Sequence, residues 1–124
     1  AGNSFAWETV VPHIFNQKYE AGFTMDLACK DMNLSYLLGR DLKVPLDLHM
    51  EVKKKMDKAR TQYGDKEGCY VYPRTLVDEL DESLSMKGWD NWSYDIKVVD
   101  GSIVVKHKNR PLSKHPQYNS ENNG

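Results

Sequence analysis

Residues 24–42 read TMDLACKDMNLSYLLGRDL, and this stretch decides the fold. Thr24 is suited to cap a helix running from Met25 to about Leu42. Along that helix Met25, Ala28, Met32 and Ser35 share one face, while Leu27, Leu34, Leu37 and Leu38 widen the apolar stripe. Apolar side chains nearly all round imply a helix sandwiched between others, and hence a helical bundle.

Working outward, the flanking segments are helical too. Upstream, a first helix is expected from about Ser4 to Lys18, with Asn3 as its cap and Trp7, Val10, Val11 and Ile14 as its apolar stripe. Residues 19–23 break it. Downstream, Lys43-Val44-Pro45 ends the second helix, because proline disfavours helix in the residue before it. A third helix follows from near Leu46 to Tyr63, with Leu48, Val52, Met56, Ala59 and Tyr63 on one face and Gly64 as its stop. Pro73 suits the opening of a fourth helix to about Met86, whose buried side would be Leu76, Val77, Leu80 and Leu84.

From Gly88 the period changes from 3.6 to 2. Trp92 to Lys108 reads as a hairpin around Asp100-Gly101, a favoured type I′ pair. Two-residue closure sets Val98 opposite Ile103, Ile96 opposite Val105 and Asp95 opposite Lys106, a register consistent in both polarity and charge. After Asn109 the Pro, Asn, Ser and Lys composition suggests a flexible tail.

Composition excludes several classes. The chain's 124 residues suffice for one buried core, and 17 basic against 18 acidic residues leave a net charge of -1. That balance argues against a nucleic-acid binder or a protein held on an anionic membrane. No apolar run reaches the roughly 20 residues of a membrane span, and the start, AGNSFAWETV, lacks the regions of a signal peptide. Two cysteines, Cys29 and Cys69, are expected as reduced, mostly buried thiols in a cytoplasmic or mitochondrial-matrix protein. The sequons at Asn33 and Asn91 are read as chance.

No glycine-rich dinucleotide motif, P-loop, HExxH or GxSxG occurs. His13, His49, His107 and His115 are scattered without ligand spacing, so no metal is expected. Cys29 with His49 has the makings of a nucleophile and base, but no sequence signature supports the pairing. Asp78, Glu79, Asp81 and Glu82 read as a solvated face. The segment Gly22 to Met32 differs, since Lys30 and Asp31 stand inside an apolar helix. The plain reading is an exposed helix edge with Lys30 paired to Asp26.

A resemblance gives that segment a second reading. Phe23, Leu27, Lys30, Asp31, Met32 and Leu34 fit the F-x-x-x-L-x-x-K-D-[LM]-x-L pattern that opens a core helix in the C-terminal helical domain of β-hydroxyacid dehydrogenases. Those enzymes include the 3-hydroxyisobutyrate, tartronate semialdehyde, threonate-type and glyoxylate reductase-like members. Val44-Pro45-Leu46, Tyr63-Gly64 and Leu76-Val77-Asp78-Glu79-Leu80 resemble further segments of that domain in the same order. The resemblance covers about residues 2 to 86; Ser35 stands where the family carries alanine, and the hairpin has no counterpart.

The resemblance implies that Lys30 reaches an NAD or NADP cofactor and that Phe23 and Asp31 border the cleft for a small hydroxy-acid substrate. It also implies a Rossmann domain of the same polypeptide and a catalytic lysine, both outside this sequence, with homo-oligomerisation through the helical domain. The chain by itself is then expected to be inactive, with no catalytic residue of its own and no tight cofactor binding.

The expected architecture is mainly α: about four helices in residues 1–88, a β-hairpin over 89–108 packed on them, and a tail over 109–124. Two other readings remain. One is a winged-helix nucleic-acid module with a basic third helix (Lys53, Lys54, Lys55, Lys58 and Arg60) and Lys97, Lys106, His107 and Lys108 on the wing. The other is a non-catalytic helical interaction module using Trp89, Trp92 and the apolar hairpin face.

Overall fold

Ser4 opens α1 (Phe5–Phe15) in a computed structural model that describes residues 3–111. The Ser4 hydroxyl accepts from the Trp7 amide at 3.1 Å, satisfying one of the donors that every helix start leaves without a partner. Asn3, the expected cap, sits one position further out and accepts from the Ser4 amide. The helix stops at Phe15 rather than Lys18, because Gln17 adopts a left-handed conformation with φ of 58°. Its buried side is Thr9, Pro12 and His13, not the anticipated stripe, and Trp7 is exposed. The Thr9 hydroxyl is sunk without penalty because it donates to the Phe5 carbonyl at 2.7 Å.

The second helix, α2 (Met25–Asp41), has Thr24 at its cap position, but no side chain caps it. Its first amides go instead to main-chain carbonyls: Met25 donates to Glu67 at 2.8 Å and Asp26 to Asp65 at 3.0 Å. Cys69 in turn donates to the Phe23 carbonyl at 2.9 Å. Pro45 precedes α3 (Asp47–Tyr63), which ends where Gly64 takes a φ of 105°. A 3-10 turn at Cys69–Val71 leads into α4 (Arg74–Leu80). That helix is shorter than the expected run to Met86, because Asp81 turns left-handed at φ of 51°.

The hairpin agrees with the sequence reading. β1 (Ser93–Val99) pairs antiparallel with β2 (Ser102–Lys108), with Val98↔Ile103, Ile96↔Val105 and Asp95↔Lys106 opposite. Asp100 and Gly101 both have positive φ, at 50° and 76°, as a type I′ turn requires. The ion pair is diagonal, however: Asp95 meets Lys108 at 2.7 Å.

The described residues are thus mainly α, four helices followed by a two-stranded hairpin. Contacts group its residues into two units, Lys18–Leu84 and a second formed by α1 together with the stretch from Ser85 on.

In the Lys18–Leu84 unit α2 packs on α3, and Met25, Cys29, Ala59, Val71 and Thr75 are buried. Met25 and Val71 are closed off from solvent, each a contribution of roughly 1.5–3 kcal/mol. In the other unit Trp92 is buried, with His13 edge-on to it at 5.1 Å and Tyr94 stacked at 5.4 Å. The tail expected over 109–124 lies, from residue 112 on, outside the described residues.

Much of what periodicity marks as core is exposed. Leu27, Leu34 and Leu38 of α2, Leu48 and Val52 of α3, and Leu76 and Leu80 of α4 all face solvent. The second helix is therefore not sandwiched. An apolar all-round pattern reports that a helix has partners without saying that those partners lie in the same segment.

Candidate functional site

The opening turns of α2 gather the residues that carry chemistry in the Lys18–Leu84 unit. One side of α2, through Met25, Cys29 and Gly39, is buried. The opposite side presents Leu27, Lys30, Asp31, Leu34 and Leu38 at helical spacing, all of them exposed. Phe23 precedes the helix and is exposed as well, its carbonyl held by the Cys69 amide.

Lys30 does not take the expected partner. Asp26, one turn earlier, is bound by Lys66 at 2.7 Å and by the Thr24 hydroxyl, so Lys30 pairs with its neighbour Asp31 at 3.1 Å. The side chains of that pair are 58% and 55% exposed, and a contact so open to water holds the ammonium only loosely. Lys30 and Asp31 are thus brought together on one face, and Phe23 stands exposed one residue before the Thr24 cap.

The surrounding electrostatics escaped sequence reasoning. The Lys66 ammonium, with help from Thr24, drives the Asp26 carboxyl from its ordinary 3.8 down to about 2. Beside it Arg60 clasps Asp65 at 2.7 Å, which lowers Asp65 and raises Arg60. Only the (i, i+4) and (i, i+5) spacings are visible in a sequence; the Asp26–Lys66 pair spans forty residues.

Cys29 is buried, and burial followed by the Asp57 carboxylate pushes its thiol upward, the opposite of an activated nucleophile. His49 spends Nε2 on the Met32 carbonyl at 2.8 Å. The cysteine–histidine pairing weighed from the sequence is therefore not assembled. Cys69 is also a free thiol, half-buried and shifted upward by that burial. Among the described residues no group of three or more His, Cys, Asp or Glu side chains is placed to hold a metal ion. No helix there is long and apolar enough to cross a membrane.

The basic face of α3 is matched by acids. Lys53 meets Asp57 and Lys54 meets Glu51, both at 2.6 Å, while Lys58 meets Glu79. Such pairing leaves little unbalanced positive charge for a phosphate backbone.

In the other unit, Glu8, Trp92, His107 and Arg110 form a polar knot that no sequence motif announces. Trp92 Nε1 donates to His107 Nδ1 at 3.1 Å, His107 Nε2 meets a Glu8 carboxylate oxygen, and Arg110 approaches the same oxygen at 3.3 Å. A faint signal existed: His107 is the polar member of the apolar face shared by Tyr94, Ile96, Val98, Ile103 and Val105. Trp92 lies at the centre of this knot rather than on a contact patch.

Residues 1–72 match the family described as NAD-binding of NADP-dependent 3-hydroxyisobutyrate dehydrogenase. No curated protein and no solved structure matches the chain.

Proposed function

As the chain belongs to the 3-hydroxyisobutyrate dehydrogenase-like NAD-binding family, we propose that it forms the C-terminal helical domain of an NAD(P)-dependent 3-hydroxy acid dehydrogenase. The observation that carries this reading is the exposed Lys30–Asp31 pair on α2, set among exposed leucines inside the family match. A cofactor with phosphates and a substrate with a carboxylate are both anions, and a solvent-facing ammonium is fitted to either. Lys30 has the reach for this, because its tie to Asp31 is exposed and its local alternative, Asp26, is occupied by Lys66.

In this reading Lys30 orients the cofactor, and Asp31 borders the substrate cleft and steadies the ammonium. Phe23 limits water at the cleft entrance. Bound NAD or NADP supplies hydride transfer at the substrate's carbinol carbon. Proton transfer falls to a lysine from a preceding part of the polypeptide, which also supplies the Rossmann domain. The leucines on the outer side of α2, with Leu48 on α3, are then the surface on which that domain or a second helical domain rests. The compartment consistent with this chemistry is the cytoplasm or mitochondrial matrix.

The test is the coding sequence immediately upstream of Ala1. It is expected to encode a strand–helix unit with a GxGxxG turn, followed by a helix bearing a lysine. A reading frame that opens at Ala1 would exclude the dehydrogenase-half reading and leave a binding module.

A further inference from the structure

The outer edge of β1 carries a pairing code that the hairpin does not use. In a hairpin closed by a two-residue turn, the pair flanking the turn exchanges both backbone hydrogen bonds, and bonded pairs alternate with unbonded ones. Val99↔Ser102, Lys97↔Val104, Asp95↔Lys106 and Ser93↔Lys108 are therefore the bonded pairs. The N–H and C=O groups of Tyr94, Ile96 and Val98 point the other way, to the outer edge. Among the described residues the sheet holds no strand beyond β1 and β2, and Ile96 and Val98 are 51% and 71% exposed. An edge of this kind is a template for another strand, and a lysine on it, here Lys97, resists self-pairing unless the facing strand sets an acid opposite it.

We propose that β1 pairs antiparallel with β1 of a second copy of this chain, about a two-fold axis through Ile96, to form a four-stranded sheet. Outward-pointing residues must meet each other for their backbone groups to bond. Ile96 then faces the partner's Ile96, and Tyr94 faces the partner's Val98. On the opposite side of the sheet this register sets Asp95 against the partner's Lys97, and the two-fold axis repeats the pair. These are unbonded positions, where Cα atoms approach to about 4.5 Å and side chains are closest.

Charge selects this register over its neighbours. A slip of one residue about the axis sets Asp95 against itself or Lys97 against itself, and like charges directly opposite are destabilising. A larger slip leaves Asp95 opposite Ser93 or Lys97 opposite Val99, with no ion pair. β2 offers no equivalent, since its charged residues are Lys106 and Lys108 with no acid in the strand. Among the described residues no ion pair engages Lys97, and Asp95 holds Lys108 with half its side chain still exposed. The hairpin lies outside the family match over residues 1–72.

The experiment is sedimentation of the full chain, up to about millimolar concentration, alongside Asp95→Lys and Lys97→Glu. The parent is expected to dimerise, and each variant to weaken association at least about tenfold. An equimolar mixture of the two variants is expected to associate again, because the altered charges then face opposite ones. Ile96→Cys gives a second readout: its bonded position sets the two Cα atoms about 5.5 Å apart, within disulfide reach. Oxidation should cross-link Ile96→Cys and not Val98→Cys or the parent. A parent that stays monomeric, a dimer indifferent to both charge variants, or cross-linking through Val98→Cys in preference to Ile96→Cys overturns the proposal.

Discussion

Lys66 sets its ammonium 2.7 Å from the Asp26 carboxylate, and in doing so leaves Lys30 without its helical neighbour as a partner. The pair spans the entrance of α2 and the segment whose carbonyls receive that helix's first amides. It therefore ties down the start of α2 and leaves Lys30 to pair with Asp31.

This pair gives an acid-limb prediction. The folded carboxyl sits at about 2, below its ordinary 3.8, so Asp26 stabilises the fold at pH values above 3.8. That contribution is lost as pH falls from about 4 toward 2, when the unfolded chain takes up the proton first. Acid unfolding followed by circular dichroism should be less steep in this window for Asp26→Asn than for the parent. Superimposable acid limbs would show that the pair does not form.

The alkaline side has its own marker. Burial, reinforced by donation to Asp78 at 2.6 Å, pushes the Tyr63 hydroxyl up to about 12. A raised value stabilises the fold below the unfolded value of 10, and the contribution disappears as pH rises through about 12. Phenolate absorbance should show one tyrosine titrating late in the folded chain, and Tyr63→Phe should remove that component. A late component that survives Tyr63→Phe would assign the shift to another tyrosine.

Gly68 tests how tightly the α2 entrance is built. A Cβ added there would lie 2.9 Å from both the Ala21 nitrogen and the Tyr19 carbonyl oxygen, main-chain atoms that cannot swing aside. Gly68→Ala should cost about 1–3 kcal/mol, as overpacking generally does. Denaturant midpoints measure it, and an unchanged or raised midpoint contradicts the packing.

His107 connects Glu8 on α1 to Trp92, with its side chain 13% exposed. Truncating it leaves the buried Trp92 donor without an acceptor, a loss of about 1–3 kcal/mol. His107→Ala should lower the denaturant midpoint and shift tryptophan emission to the red. Parent-like stability and emission would mean that the knot contributes nothing.

How much of this was legible in the sequence varied with the range of the interaction. The turn and register of the hairpin were legible, because Asp100-Gly101 fixes the turn and period-2 alternation fixes the register, whereas its apolar residues Ile96, Val98 and Ile103 stand exposed. Helix types were legible for the same local reason, and Pro45 and Gly64 marked the bounds of α3 closely. The left-handed turns at Gln17 and Asp81 were missed, because neither residue type demands that conformation. Burial was least legible. The Leu27, Leu34 and Leu38 pattern reports a covering surface, and nothing in those residues says where the cover lies. Lys30, Asp31 and Phe23 stood out through resemblance, while Lys66 and Glu8 act through partners forty and ninety-nine residues away.

Under the proposed function, the outer side of α2 around Lys30 meets a nicotinamide cofactor. Titrating the isotope-labelled chain with NADP+ to about millimolar, and following backbone amide shifts, tests it most directly. The predicted result is weak, saturable binding with shifts at Phe23, Lys30 and Asp31, lost in Lys30→Ala. Shifts confined to residues 85–111, or none at any concentration, would contradict it.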